Sequence, residues 1–475
     1  HGEATGARRL GREVAQALRG KGARLVLHFD LNKTLIMVDP AGGKTQSQVL
    51  NTILAEICWG HVDGDGEDGT WLWCTGVSSF WLLREQRRIT PPSPKPPCRT
   101  TPRLGRPGEE TLPMLTYSDF LDEVFSDGEG KDNRRMKEAR DERKGIFSED
   151  GQPGAALRGE YLALERALSM PDSVSRSPLA EGAGLGGKYS YYVIPSFFHC
   201  LLTLKEAGAD FGVVFRTFGS DIEGVSREYN AFCEGKHPLF PGVKMDGSDG
   251  HGDYRVHLEH SGNGSPTVGA FYRDEKGVAL AMGTLEHPQS REHIRQGLIE
   301  EEGRVVYTSM NHIHDVICEV VGPLPPSPAE ASANQGPALA LAAAATNARS
   351  ADQGGRDGMA HRRCLALRDY YPFWRQSLEE AEAGKLLPVD LSENPKVWAI
   401  MFDDNIGRPE SSGGAHIVDV RNAATGKPVP FEAALRRHIV RAEPFLALLG
   451  GKSDCSTSAL ECPSNYFLLE ILERL

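Results

Sequence analysis

Apolar runs that follow amphipathic stretches set the basic pattern of the chain. The run RLVLHFD at 24–30 ends in Asp30 and follows an amphipathic stretch at 8–20 that is closed by glycine. The same order of helix, glycine and strand recurs at 196–221, where the apolar run ends at Thr217. Repeated α-then-β units joined by short glycine turns predict a parallel sheet with helices packed against it. The pattern therefore indicates an α/β protein with a Rossmann-like core and helices on both faces of the sheet.

The rest of the chain adds further elements of both kinds. Helical periodicity predicts helices at 45–58, 161–168, 370–385, 432–449 and 465–474. Alternating apolar and polar positions predict β-hairpins at 268–285 and 415–431. Another apolar run, at 396–407, is typical of a buried strand, and it ends in Asp403 and Asp404.

Segments rich in proline, glycine and charge interrupt this pattern and suggest how the chain is divided. Loops or linkers are predicted at 63–69, 89–108 and 323–358. We expect the core to be assembled from three parts, at 1–60, 190–221 and 368–475. The intervening segments are predicted insertions: a partly disordered, cap-like region at 61–189, and a region at 222–367 that holds a hairpin and a disordered linker.

Composition narrows the class of protein. The 475 residues carry a formal charge of −12, with 40% hydrophobic and 25% charged residues, which is typical of a soluble globular protein. An acidic chain repels phosphate backbones, so we expect no general nucleic-acid binding. The apolar runs are far shorter than the roughly 20 residues that cross a bilayer, so we expect no membrane span.

The cysteines bear on the cellular compartment. There are nine of them, an odd number, scattered and without a CxxC pair. This usage favours free thiols in a reducing compartment, and we therefore expect a cytoplasmic protein. The chain begins at His1 rather than Met, so a removed targeting segment stays open.

The polar residues that end the predicted strands are the main candidates for chemistry. Asp30, Thr217, Asp403 and Asp404 each follow an apolar run. The carboxyl ends of parallel strands lie on one edge of a sheet, and ligands bind in the crevice outside that edge. Each residue also has a simpler interpretation, since a strand-terminal Asp often caps a helix and a threonine is often a β-branched strand residue without a functional role.

Taken in order, these residues resemble the motifs of the haloacid dehalogenase-like phosphohydrolases. FDLNKTL resembles their first motif, with the nucleophilic Asp at the end of the first strand, and VVFRT resembles the second. Lys385 in AGKLL stands where their third motif has a lysine, 18 residues before the acidic end of WAIMFDD, which resembles the fourth. The resemblance covers about 1–60, 190–221 and 365–475.

The resemblance implies a Mg²⁺-dependent reaction with an aspartyl-phosphate intermediate. Asp30 would be nucleophile and metal ligand, and the backbone carbonyl of Asn32 would be a second ligand. Asp403 and Asp404 would complete the acidic ligands, the latter directly or through water. Thr217 would donate to a phosphoryl oxygen, and Lys385 would screen the carboxylate and the transferring group. A helix-terminal lysine that favours the helix dipole is the simpler interpretation of Lys385.

The resemblance breaks at Asn32, because most phosphatases of this family have Asp there to protonate the leaving group and activate water. An amide cannot exchange that proton. Three hypotheses stay open: a phosphatase with another general acid, such as His28, Lys33 or Asp39; a phosphotransferase or slow phosphoenzyme former; or a fold that binds without much catalysis.

The insertions leave the substrate undetermined. The expected partner is a small phosphorylated molecule or a phosphoprotein, and a protein partner that binds the insertions stays open. Two weaker sets of residues could bind zinc, although neither has a second ligand pair at the usual spacing: His251, His257 and His260, and His312, His314 and Cys318.

Overall fold

The fold is described from a computed structural model. It describes residues 2–40, 42–63, 70–73, 114–125, 131–258, 267–321, 362–407, 417–450 and 464–475. The predicted linkers at 89–108 and 323–358, and residues 64–69, lie outside this part of the chain.

A mostly parallel central sheet organises the described residues. Thirteen strands are found there: β1 Arg24–Asp30, β2 Trp59–Asp63, β3 Thr70–Trp73, β4 Met114–Thr116, β5 Phe211–Thr217, β6 Val268–Asp274, β7 Gly277–Met282, β8 Val306–Tyr307, β9 Cys364–Arg368, β10 Lys385–Val389, β11 Val397–Asp403, β12 Val418–Asn422 and β13 Ile439–Arg441. Eight of them form the central sheet in the order β13-β11-β1-β5-β9-β6-β7-β8. All pairs from β13 to β6 are parallel, and β6, β7 and β8 pair antiparallel.

The helices of the described residues cover this sheet and fill the connections. They are α1 Gly2–Lys21, α2 Gln46–Ile57, α3 Tyr117–Val124, α4 Lys131–Gly145, α5 Arg158–Leu168, α6 Asp172–Ser175, α7 Pro178–Gly182, α8 Pro195–Glu206, α9 Ile222–Cys233, α10 Arg291–His293, α11 Met310–Cys318, α12 Tyr371–Gln376, α13 Phe431–Arg437, α14 Pro444–Leu449 and α15 Tyr466–Arg474. A π-helical segment, Ile294–Glu301, continues from α10.

Alternate residues of the central strands face two different layers, as the two-residue period of a strand requires. On β1, Leu25, Leu27 and Phe29 belong to a large core cluster with apolar residues of α1, α8, α9 and α15. Val26 faces the other way, toward a cluster that includes residues of α11 and β10. Because both faces are covered, β1, β5 and β11 read as continuous apolar runs rather than alternating ones. This confirms an α/β fold with helices on both faces.

The chain between β1 and β5 forms a largely helical region in its described part. It holds α2 to α7 and an antiparallel sheet in the order β3-β2-β4. Apolar residues of this region join the same large cluster as the central strands, among them Ile53, Trp71, Phe147 and Leu164. The region is therefore packed onto the core rather than separate from it, and whether it acts as a cap stays a prediction.

The segment 222–367, which the sequence suggested to be a second insertion, contributes to the central sheet. β9 pairs with β5 on one side and with β6 on the other, and the predicted hairpin of β6 and β7 extends the sheet further. The sequence pattern did not predict β9, and there is a physical reason for this. β9 is short, and a residue run as brief as CLALR carries little periodicity of its own.

The predicted helix at 370–385 is wrong in its second half. Helix α12 ends at Gln376, and Leu378 and Glu379 then adopt positive φ values of 54° and 63°, which an α-helix cannot contain. Lys385 does not end a helix; it is the first residue of β10. The structural alternative for this lysine, a favourable contact with a helix dipole, therefore does not apply.

Two predictions near the carboxyl end also need correction. The predicted helix at 432–449 is two helices, α13 and α14, separated by β13, because the buried IVR segment pairs with β11. The predicted hairpin at 415–431 turns at Gly426, but its second arm makes only an isolated bridge to Arg421. The true partner of β12 is β10, in a separate two-stranded parallel sheet.

Two class predictions can be compared with the described residues. Cys58, Cys200, Cys233, Cys318 and Cys364 are buried free thiols, as expected. Within the described ranges, no helix combines the length and the apolar character needed to cross a bilayer.

Candidate active site

The carboxyl ends of β1, β5 and β11 lie side by side, as the sequence predicted. β1 is the central strand of the three, with Asp30 beside Arg216 of β5, and Phe29 beside Phe402 of β11. Asp30 and Asp403 therefore occupy equivalent positions on neighbouring strands and point to the same side of the sheet, because paired residues of parallel strands do so. Asp30 and Asp403 are more than 370 positions apart in the sequence, and the pairing of β1 with β11 brings them together.

Three carboxylates form a compact cluster at this edge. Asp30, Asp403 and Asp404 each place an oxygen within 4.8 Å of the others, and within the described chain this is the one group of this kind found to suit a metal ion. Asp30 is 5% exposed and Asp403 is fully buried. Buried carboxylates repel one another unless cations offset their charge. We call these three residues, together with Lys385, the carboxylate cluster.

Lys385 joins the cluster from outside the central sheet. Its ammonium Nζ donates to Asp30 Oδ1 and, at 2.7 Å, to Asp403 Oδ2. It also lies 5.2 Å from the ring centroid of Phe218. With 1% of its surface exposed, Lys385 is a fully buried cation held by two carboxylates. The resemblance groups this residue with Asp30 and Asp403, and the structure brings the three together, although Lys385 lies on a strand rather than on the predicted helix.

The charges of the cluster oppose one another strongly. Burial raises the pKa of Asp30 well above its usual range; Lys385 opposes this rise, whereas Asp403 and Asp404 add to it. Burial also raises the pKa of Asp404 to about 7, against the opposing effect of Lys33. For Lys385, burial acts to lower the pKa, but the two aspartates outweigh it and the pKa is raised. With all three carboxylates ionised, the cluster would carry more negative than positive charge, so a bound cation would favour the ionised forms.

The turn after β1 holds Lys33 and Thr34 against the cluster. Lys33 has a φ of 59°, an uncommon left-handed conformation for a residue with a side chain. Its Nζ lies 3.9 Å from Asp404 Oδ2, and Thr34 Oγ1 accepts a hydrogen bond from the backbone N–H of Asp404 at 3.2 Å. Asp403 Oδ1 is fixed by the N–H of Asn405 at 2.9 Å. The turn therefore locks the two strand ends together.

Thr217 ends β5 with its hydroxyl in a narrow space. Thr217 Oγ1 accepts a hydrogen bond from the N–H of Gly219 at 2.9 Å, which leaves its O–H available to donate to another oxygen. A Cβ at position 219 would come within 2.6 Å of Asp221 Oδ2 and 3.4 Å of the Thr217 hydroxyl. A larger residue at position 219 would displace the Asp221 carboxylate, which lies close to Thr217.

Asn32 contacts an acidic residue that the sequence reasoning did not consider. Its side chain donates a hydrogen bond to Asp221, a 7% exposed residue whose pKa is raised by burial, against the opposing effect of that bond. Arg368, beside Thr217 in the sheet, lowers the same pKa. We call Asn32, Asp221 and Arg368 the Asp221 group.

Each member of the Asp221 group has a buried polar atom without a partner. Asn32 Oδ1, Asp221 Oδ2 and Arg368 Nε make no hydrogen bond to any residue that the structure describes. Asp221 precedes α9, yet its side chain does not cap that helix. An Asp that follows a buried strand and a glycine, as in RTFGSD, was the signal in the sequence.

The three residues suggested as replacement acids have other roles. His28 is buried below the edge, 3.5 Å from Arg216, and its pKa is lowered by burial and by Arg216, so it is a neutral core histidine. Lys33 is ion-paired with Asp404, and its pKa is raised, because Glu56 and Asp404 outweigh the lowering effect of burial. Asp39 accepts from Gly42 within its own turn.

The suggested zinc ligands are occupied in other contacts where they are described. His257 lies 3.0 Å from Asp253, and His314 lies 3.4 Å from Cys318 and 3.2 Å from Asp315. Neither set appears among the described groups that could hold a metal ion. His260 is outside the described residues.

The residues of the carboxylate cluster fit a Mg²⁺ ion by their chemistry. Carboxylate oxygens are the hard ligands that Mg²⁺ prefers, and the ion needs only a few from a protein. A divalent cation would also offset the repulsion among the three ionised carboxylates. The backbone carbonyl of Asn32, the remaining predicted ligand, belongs to the turn directly after Asp30.

Similarity to other proteins adds nothing to this geometry. Comparisons with protein-family models, curated proteins and solved structures found no match to this chain.

Proposed function

We propose that the protein is a Mg²⁺-dependent phosphohydrolase that acts on a phosphorylated small molecule or protein through Asp30. The observation that carries the proposal is the contact of one buried lysine with two strand-end carboxylates, Asp30 and Asp403. A buried lysine shared by two aspartates is costly as a purely structural device, because desolvation offsets most of the attraction. Perturbed charges of this kind concentrate at functional sites.

Asp30 would attack the phosphorus of a phosphate monoester. A bond forms between its carboxylate oxygen and phosphorus, and the bond from phosphorus to the leaving oxygen breaks. Lys385 would hold the carboxylate in place and offset the negative charge that the phosphoryl group brings. Water would then attack the phosphorus of the aspartyl phosphate, which returns the Asp30 carboxylate and releases phosphate.

Thr217 would bind the phosphoryl group from the neighbouring strand. Its O–H is available to donate, since its oxygen already accepts from Gly219. A donor fixed by a backbone N–H does not need to reorganise as charge develops on the phosphoryl oxygens.

Asp30, Asp403, Asp404 and the carbonyl of Asn32 would hold the metal. Bound Mg²⁺ would supply positive charge that offsets the repulsion of the attacking carboxylate and the anionic phosphoryl group. Asp403 is prepared for this role, because one of its oxygens is fixed by Asn405 and the other by Lys385.

The proposal lacks a residue that protonates the leaving group, because position 32 is Asn rather than Asp. This favours a second candidate function. Without a carboxyl at position 32, hydrolysis of alkyl phosphates would be slow, and this chemistry favours a phosphotransferase or a long-lived phosphoenzyme. Asp221 places a carboxyl in contact with Asn32. An acidic group therefore lies next to position 32, where phosphatases of the resembled family have Asp.

The test is incubation of the full chain with an aryl phosphate, with and without Mg²⁺. An aryl oxygen leaves without a proton, so the missing acid does not limit this substrate. We expect Mg²⁺-dependent release of phosphate, or a phosphoenzyme stable to acid quenching if the second candidate holds. Asp390→Asn is the matched control for Asp30→Asn, because Asp390 follows the far end of β10 and accepts from the N–H of Ser392 within its own turn.

Each outcome decides between the candidates. Phosphate release that Asp30→Asn abolishes and Asp390→Asn retains supports the phosphohydrolase. Phosphoenzyme without release supports the phosphotransferase. Neither product, with Mg²⁺ bound, leaves a binding protein, and the enzymatic proposal is then wrong.

A further inference from the structure

Lys385 reaches the carboxylate cluster from a strand that does not belong to the central sheet. β10 pairs with β12, in parallel, and these two strands form a sheet of their own. Asp30 and Asp403, in contrast, are fixed by the ladder of the central sheet. Other contacts must therefore hold the first residues of β10 in place relative to β1 and β11.

One such contact comes from Arg216 of β5, a fully buried residue next to Thr217. Its Nη1 donates to the carbonyl oxygen of Leu386 at 2.9 Å, the residue that follows Lys385. Its Nε and Nη2 donate to the two carboxylate oxygens of Asp369, the first at 2.9 Å. A bidentate ion pair fixes the plane of the guanidinium, so its remaining donor points at the Leu386 carbonyl.

A second contact comes from Arg273 of β6 on the other side of the lysine. Its Nη1 donates to the carbonyl oxygen of Gly384 at 2.5 Å, the residue that precedes Lys385. Its Nη2 donates to the carbonyl oxygen of Glu382 at 2.7 Å and to Asp419 Oδ2 at 2.6 Å. Since Asp419 belongs to β12, this one guanidinium ties both strands of the small sheet to the central sheet.

The backbone around Lys385 is closely packed against the segment that leads into β12. Its N–H donates to the carbonyl oxygen of Ile417 at 2.6 Å. A Cβ at position 384 would lie 2.0 Å from the same oxygen, so only glycine allows this approach. The carbonyl groups of the two residues on either side of Lys385 are thus each held by an arginine, while its own N–H is held by Ile417, the residue that precedes β12.

We propose that Arg216 and Arg273 are positioning residues that keep the Lys385 ammonium on Asp30 and Asp403. Neither guanidinium bonds to the carboxylate of Asp30 or Asp403; both act through the main chain on either side of the lysine. An arginine suits the task because its planar fork binds a carboxylate and a carbonyl at once, whereas lysine offers a single point charge. The catalytic consequence rests on the proposed function, since a displacement of 1 Å at a reacting group costs about a hundredfold in rate.

The experiment compares Arg273→Gln with Arg421→Gln in the full chain. Arg421 is a matched control: it binds Asp419 at 2.8 and 3.0 Å, as Arg273 does, but its remaining contact is Gly426 rather than the residues before Lys385. The first readout is kcat and KM for an aryl phosphate with Mg²⁺. We expect Arg273→Gln to lower kcat by about a hundredfold with little change in KM, Arg273→Lys to retain part of kcat, and Arg421→Gln to match wild type.

The second readout does not depend on activity. A small amine-reactive reagent modifies lysines in proportion to their exposure, and mass spectrometry of the peptides compares Lys385 with the exposed Lys427 in each variant. We expect Lys385 to react slowly in wild type and in Arg421→Gln, and severalfold faster in Arg273→Gln. Thermal unfolding midpoints identify any variant that is globally destabilised.

The outcomes separate this inference from the proposed function. If wild type shows no turnover, the proposed function is wrong, and the labelling of Lys385 still decides the positioning role. Unchanged labelling and unchanged kcat in Arg273→Gln would overturn the inference, as would an equal loss in Arg421→Gln. If Arg273→Gln fails to fold, Arg273→Lys is compared with Arg421→Lys by the same two readouts.

Discussion

Two groups of polar side chains lie next to each other at the carboxyl edge of the sheet, and they are built differently. In the carboxylate cluster, Lys385 bonds to both Asp30 and Asp403, and Asp403 has a partner for each oxygen. In the Asp221 group, three buried polar atoms have no partner among the residues described. A buried polar atom left unsatisfied costs about 1–3 kcal/mol.

This difference in hydrogen bonding suggests a division of roles in the proposed chemistry. The carboxylate cluster would handle the phosphoryl group, and the Asp221 group would contact the rest of the substrate. The carboxylate cluster is fixed by sheet strands and by arginine contacts to the main chain, so its geometry exists before any ligand binds. The Asp221 group lies on the turns after β1 and β5 and at the end of β9, and two of its acceptors and one of its donors have no partner among the described residues. It is suited to groups that differ between substrates, whereas the phosphoryl group is the same in every phosphate ester.

The largest expected effect comes from Asp30 in the carboxylate cluster. Asp30→Asn keeps the shape of the side chain but removes the nucleophile, and we expect turnover of an aryl phosphate to fall by about a thousandfold or more. Steady-state assays with Mg²⁺ measure it. A fall of less than tenfold would show that the nucleophile lies elsewhere.

Lys385→Met should have the next largest effect, on rate and on stability. Removing one electrostatic donor costs about 10²- to 10³-fold in rate, and leaving buried charges uncompensated costs about 3–5 kcal/mol. We expect both losses, and we expect Mg²⁺ to restore more stability to the variant than to wild type. Urea unfolding with and without Mg²⁺ checks this; equal effects of Mg²⁺ on the two proteins would contradict it.

Asn32→Asp tests the other side of the comparison. The change introduces the carboxyl that most phosphatases of the resembled family carry at this position, and a positioned acid contributes about 10²- to 10⁴-fold. We expect a gain of about tenfold or more in hydrolysis of an alkyl phosphate, with a smaller change for an aryl phosphate. Asp221→Asn in the same background shows whether the new carboxyl depends on its neighbour. No gain on either substrate would count against a hydrolytic site.

The smallest expected effect is a pH dependence of stability without divalent cations. The pKa of Asp404 is raised from 3.8 to about 7 in the folded chain, so the folded state binds this proton more tightly than the unfolded state does. The resulting stability is fully present below pH 3.8 and is lost as the pH rises through about 7. Denaturant titrations from pH 4 to 8 in chelator should show this decline, and Asp404→Asn should show a smaller one. An identical decline in the variant would exclude Asp404 as a source.

The fold and the site differ in how much the sequence could predict. β1, β5 and β11 are buried on both faces, so their bounds follow from continuous apolar runs, and Asp30, Thr217 and Asp403 follow from their ends. Lys385 was assigned to a helix because its strand is fixed by distant residues, among them Arg216, Arg273 and Ile417, and no local pattern contains them.

Two missed residues did leave a signal in the sequence. Arg216 is a charge inside an otherwise apolar strand, VVFRT, and such a charge requires a buried partner. Asp221 follows the same strand by four residues, at a distance that the glycine turn makes short. The role of Arg216 depends on Asp369 and that of Asp221 on Asn32, and both partners are distant in the sequence.

The most direct test of the central claim is peptide mapping of the chain after acid quenching of a reaction with an aryl phosphate and Mg²⁺. The account predicts that the peptide containing Asp30 gains the mass of one phosphoryl group in wild type. Asp30→Asn should show no gain, and Lys385→Met should show a much smaller one. A phosphoryl group found on any other residue, or turnover without a label on Asp30 under rapid quenching, would contradict it.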